Sequence, residues 1–181
     1  MTATKHTLVA LVEDKPGVLN RMASLFRRRG FNIESIAVGR SEIAHLSRMT
    51  IVVDGTATMV EQVRKQLDKV IDVVKVSDIS GDNIIARELA LIKVRATAST
   101  RSEIMQIVDI FRANIVDVSA DSVTVEVTGD EEKIDSLYNL LRGFGIKELA
   151  RTGRIAMTRG TSSPLRVEKE APKTRGKRQT G

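Results

Sequence analysis

The chain has 181 residues, 29 Lys plus Arg against 23 Asp plus Glu, 41% hydrophobic and 29% charged side chains. This is a globular composition with room for one long or two small domains; it excludes disorder throughout, and no apolar run approaches the roughly 20 residues of a spanning helix. With no Cys and two His, disulfides, thiolate nucleophiles, Cys zinc sites and His-rich metal centres drop out, so much enzyme chemistry is disfavoured.

The start MTATKHTLVALVEDK has an acidic break where a signal peptide would continue, so a cytoplasmic location is the expectation. Leu8 to Val12 is an apolar run too short for a helix and predicts a buried strand. Val18, Leu19, Met22, Ala23, Leu25 and Phe26 recur on one helical face, and Gly30 supplies a stop. Asn32 to Gly39 and Leu46 to Val53 predict a hairpin around Ser41 and Glu42. Thr58 with Glu61 reads as a capping box for a second helix, whose inward stripe is Val60, Val63, Leu67 and Val70. Val73 to Ile79 closes a βαββαβ unit, expected over residues 1–80.

After the breaker stretch Ser80 to Asn83 the order restarts, over 84–159. A strand at Leu89 to Ala96 alternates through Leu89, Leu91 and Lys93, and Thr100 with Glu103 predicts another capping box. Ile104, Ile107, Val108 and Phe111 mark a helix, Ile115 to Val118 and Val123 to Val127 paired strands, and Ile134, Leu137, Leu140 and Leu141 a fourth helix. A final strand includes Ile155 and Met157. The fold class is therefore α+β: two ferredoxin-like βαββαβ domains in tandem, each a four-stranded antiparallel sheet with two helices on one face. The uncovered faces and edges predict a homodimer.

From Arg159 to Gly181 there are seven basic residues against Glu168 and Glu170, so five of the six net positive charges lie in this terminus. Residues 160–181 read as a basic disordered tail, more simply a solubilising terminus than a binding arm. Four Phe and one Tyr give no stacking platform, which speaks against nucleic acid as a partner.

The most informative local feature is LVEDKPGVL, which places Asp14, Pro16 and Gly17 just before the first apolar helix face. Helix amides without intrahelical partners point outward there and suit an anion, and Gly17 lets a ligand approach the backbone. An isolated D-x-P-G reads more simply as a cap at Asp14 and a helix start at Pro16. Asn32 likewise reads first as a turn residue after Gly30. His6 and His45 lack companions at ligand spacing, Arg27 to Arg29 read as a solvated helix face, and the Met residues as core fill.

The wider stretch LVEDKPGVLNRMASLFRRRGFNIESIAVGR followed by SRMTIVVDG resembles the N-terminal half of the small regulatory subunits of acetolactate synthase (acetohydroxyacid synthase), which is an ACT domain. The likeness continues through KQLDKVIDVVKVSDI, RELALIKV, IFRANIVDVS and ARTGRIAMTRG, spanning residues 5 to 160 in order. The resemblance implies a non-catalytic chain that binds the large catalytic subunit, raises its activity and lets a branched-chain amino acid, usually valine, inhibit it. Thiamine diphosphate, Mg and FAD are then expected only in the catalytic partner, with no cofactor in this chain. In the family the effector lies between two ACT domains. By motif position its contacts fall on Asp14, Gly17 and Val18 of one chain and on Asn32 and Ile33 of the other. Many members carry Asn where Asp14 stands, so an amide is replaced here by an acceptor-only carboxylate. The competing functions are a free-standing amino-acid sensor of another enzyme or regulator, and a nucleic-acid binder using the basic tail.

Overall fold

A computed structural model describes residues 4–28, 30–161 and 163–167. The first unit runs β1 (Thr4–Glu13), α1 (Val18–Arg28), β2 (Ile33–Arg40), β3 (Leu46–Gly55), α2 (Ala57–Leu67) and β4 (Val73–Asp78). Its antiparallel sheet has the order β2-β3-β1-β4. Leu8, Ala10 and Val12 of β1 with Met49, Ile51 and Val53 of β3 face α1 and α2, whose Val18, Met22, Phe26, Val60, Val63 and Leu67 complete the core. The opposite face of β1 is apolar too, because Val9 and Leu11 meet Ile79, Ala156 and Leu165 in a separate cluster. Burial on both faces explains the unbroken apolar run in β1.

The second unit runs β5 (Ile84–Arg95), α3 (Arg101–Ile110), β6 (Asn114–Val118), β7 (Ser122–Gly129), α4 (Glu131–Arg142) and β8 (Ile146–Arg151), with the path β6-β7-β5-β8. A short β9 (Ile155–Thr158) pairs with the first residues of β5, from Ile84 to Arg87. This two-stranded ribbon lies against the open face of the first sheet. Arg48 there donates to the Ala156 carbonyl at 2.8 Å.

Several expectations are corrected. The cap of α2 is Thr56, whose hydroxyl accepts from the Met59 amide, so Thr58 sits inside the helix and forms no capping box with Glu61. Thr100 makes no side-chain cap bond to α3; its hydroxyl accepts instead from the Thr97 amide at 2.9 Å. In β5 the buried set is Ala90, Ile92 and Val94, opposite in face to Leu89, Leu91 and Lys93. Leu140 is exposed, leaving Ile134, Leu137 and Leu141 as the buried stripe of α4. The expected strand at Ile155 and Met157 is present as β9, but the strand that completes the β6-β7-β5-β8 path is β8, which sequence pattern does not reveal because IKELAR has a solvated, charged surface and no period-two apolar signal.

Leu165, placed by the sequence in a disordered tail, is only 5% exposed and packs into the cluster between the units. The rest of that tail, from residue 168 onward, lies outside the described residues.

The units also meet at Gly153, in the turn between β8 and β9, where φ is +79°. The Arg154 amide donates to the Ser35 hydroxyl of β2 at 2.9 Å, and a side chain at 153 would collide with that hydroxyl. Around this contact Lys5 bridges Glu34 and Glu131, Arg154 pairs with Glu131, and Arg151 clamps Glu88 and Asp135. A concavity of about 370 Å³ opens between these charges and the start of β2.

Candidate effector site

The loop between β1 and α1 is held from two sides. The Glu13 amide donates to the Asp72 carbonyl at 2.8 Å, and the Asp14 amide donates to the His45 carbonyl at 2.9 Å. His45 sits in the hairpin turn with a left-handed φ of +64°, so its role is backbone support of this loop. Sequence reasoning missed that role, since only the polar turn was visible. His6, the other histidine, pairs with Asp78 at 3.2 Å on β1. Asp72 is buried and lies 2.9 Å from Arg21 of α1, and Lys15 pairs with Glu13 at 2.6 Å. Hydrogen bonding to Glu13 holds the Lys15 ammonium above the ordinary lysine range.

α1 begins at Val18, which puts Gly17 at its cap position with φ +87°. Asp14 therefore does not cap the helix, and its side chain has no hydrogen bond or ion pair among the described residues. The Gly17 amide has no acceptor among them either, and that of Val18 reaches the Lys15 carbonyl only at 3.5 Å. The Gly17 amide is thus left without an acceptor at the positive end of a helix, beside the Arg21 guanidinium and the exposed Asp14 carboxylate. This loop presents donors for a carboxylate and an acceptor for an ammonium.

Asn32 and Ile33 are placed elsewhere. Asn32 is exposed just before β2, while Ile33 packs against the edge of the first core. Register fixes the distance: Ile33 pairs with Val53, which pairs with His6, whereas Glu13 pairs with Leu46 at the other end of β1. At roughly 3.4 Å per residue the two sets lie about 24 Å apart along the sheet. One chain does not bring the five residues together. A pocket containing all five needs a second copy.

Among the described residues no group of three His, Asp or Glu side chains could hold a metal ion, and no helix is long and apolar enough to cross a membrane.

The fold and the loop define a tandem pair of ferredoxin-like units whose first member is an ACT domain. Residues 8–75 match the model of the AHAS small subunit-like ACT domain, and residues 87–160 match that of the small subunit of acetolactate synthase. The chain is 59% identical to a probable acetolactate synthase small subunit of Archaeoglobus fulgidus, over 86% of this chain and 98% of that protein. It is 56% identical to the acetolactate synthase small subunit of Mycobacterium leprae, over 86% and 92%. The crystal structure of the small subunit from Thermotoga maritima superposes with a TM-score of 0.81 at 44% identity, covering 88% of this chain and 99% of that one. The chain belongs to the acetolactate synthase small-subunit family.

Proposed function

We propose that this chain is a cytoplasmic, non-catalytic subunit that activates a thiamine-diphosphate-dependent catalytic subunit and makes it inhibitable by valine or another branched-chain amino acid. Thiamine diphosphate, Mg and FAD belong, in this reading, to the catalytic partner, whose overall reaction is a transferase reaction. The effector pocket forms between two copies in a homodimer. Gly17 and Val18 amides of one copy take the effector carboxylate, Asp14 takes its ammonium, and Asn32 with Ile33 of the other copy close the site.

The observation that carries this reading is the placement of the two residue sets at opposite ends of one sheet, each exposed or half-exposed, apart from the buried Val18 side chain. Because both copies contribute, occupancy favours one dimer packing by differential affinity, which is the physical content of feedback control. Reconstitution with the cognate catalytic subunit tests it: the purified chain should bind and raise activity, and valine should lower it. Asn32→Ala should weaken valine inhibition while leaving activation intact. Failure to bind or activate would overturn the assignment, and unchanged inhibition in the variant would overturn the pocket.

A further inference from the structure

The charges around the β1–α1 loop do not balance. Lys15 is taken by Glu13 at 2.6 Å and Arg21 by Asp72 at 2.9 Å, whereas Asp14 has no partner among the described residues. A zwitterion whose ammonium meets Asp14 brings its carboxylate close to the same negative charge. The Gly17 amide and roughly half a positive charge at the helix start are modest compensation for that repulsion. Arg21 holds the missing donors. A guanidinium has five N–H donors, and the contact with Asp72 runs through Nε, so both terminal nitrogens are without an acceptor among the described residues. One of them, Nη2, lies 3.8 Å from the point that a Cβ on Gly17 would occupy, which sets the guanidinium over the open backbone of the loop. Asp72 keeps it there. The Asp72 side chain is 7% exposed, and its buried Oδ2 has no partner but Arg21 among the described residues. The Asp72 carbonyl also anchors the Glu13 amide at 2.8 Å. Leaving a buried carboxylate without its cation is costly, so this pair persists with or without a ligand.

We propose that Arg21 is a specificity-determining residue of the effector site: its terminal nitrogens take the effector carboxylate together with the Gly17 amide, and Asp72 is the positioning residue that holds them in place. This assignment rests on the effector pocket proposed above. The planar fork of a guanidinium matches a carboxylate, and a fork already fixed by Asp72 loses little rotamer freedom when the ligand arrives. The site then requires a free α-carboxylate. An α-amide, which keeps the ammonium and the branched body but presents N–H donors to the guanidinium, is discriminated against. Arg21 lies inside the shared pocket, so closure by the second copy covers the ligand on it and does not compete with it.

Titration of the full-length protein with L-valine and with L-valinamide, followed by calorimetry and, for weak binding, by amide NMR, tests the proposal. The unaltered chain should bind valine about tenfold or more tightly than valinamide. Arg21→Met, which keeps the stem but not the charge, should weaken valine about tenfold and change valinamide by less than about twofold, so that the preference collapses. Arg21→Lys should weaken valine about fivefold, because one ammonium cannot serve both Asp72 and the effector, and it is the readout should Arg21→Met fail to fold. Asp72→Asn should weaken valine in the unaltered chain and add nothing in Arg21→Met. If the unaltered chain binds none of valine, leucine and isoleucine, the effector pocket falls and this assignment with it. If it binds valine, but folded Arg21 variants bind valine as tightly or lose both ligands equally, the pocket stands and the assignment is overturned, with Arg21 serving only to neutralise Asp72.

Discussion

Replacing Gly153 with Ala should loosen the grip of the second unit on the first sheet. Gly153 has φ +79°, and an added Cβ would lie 2.7 Å from the Ser35 hydroxyl and 3.2 Å from the Ile36 carbonyl oxygen. Left-handed backbone costs a non-glycine residue about 1–2 kcal/mol. Moving the Ser35 hydroxyl aside removes its bond from the Arg154 amide, worth about 1 kcal/mol. The Ile36 carbonyl is backbone and yields only by displacing β2, so the total loss should reach about 2–4 kcal/mol. Gly30→Ala is the matched control: φ is +69° there, yet nothing lies within 4 Å of the added carbon, so about 1–2 kcal/mol is expected. Urea unfolding of the full-length chain, followed by circular dichroism, measures both. Equal losses at the two glycines would refute the view that Gly153 is chosen for its close approach to β2. A further sign of weakened coupling would be separation of one transition into two.

Three other outcomes follow from the geometry. Thr56→Ala should cost about 0.5–1 kcal/mol by removing the α2 cap, whereas Thr58→Ala should change stability by less than about 0.5 kcal/mol; thermal unfolding of both variants decides which threonine is the cap. The Glu61 carboxyl is held from the ordinary 4.5 down to about 2, chiefly by its bond to Arg64. Since the folded value is the lower one, its stabilisation is complete above the unfolded value and is lost as pH falls toward about 2. Glu61→Gln should therefore flatten the acid limb of the stability curve in that window, and parallel limbs would show that the pair contributes nothing. Leu165→Ala should lose about 2–3 kcal/mol, and deletion from residue 160 onward at least as much, measured by urea midpoint; unchanged stability would return Leu165 to a tail without structure.

Much of the fold was legible in the sequence where burial is one-sided and periodic. Val18, Met22 and Phe26 recur at helical spacing, and a core lies on only one side of α1, so pattern and structure coincide. The same holds for Val60, Val63 and Leu67 in α2 and for Val123, Val125 and Val127 in β7. The pattern failed where partners come from far along the chain. IKELAR became a strand only because β5 offers its edge, and the Leu165 side chain is buried only because Val9 and Leu11 present a second apolar face. Cap choice also escaped composition, since Thr56 and Thr58 are chemically alike and only backbone geometry separates them: Thr56 is extended and Thr58 helical.

The candidate site divides in the same way. Sequence alone determined the D-x-P-G loop, the helix that follows it and the family to which both correspond, because these are local matters of residue type and spacing. Only the tertiary structure decided that Asn32 and Ile33 sit a sheet's length away from Asp14 and Gly17, that the backbone of His45 holds the loop, and that the buried Asp72 holds Arg21 over Gly17. Those relations depend on strand register and on the packing of helix and turn against the sheet, and neither is encoded in any short stretch of chain.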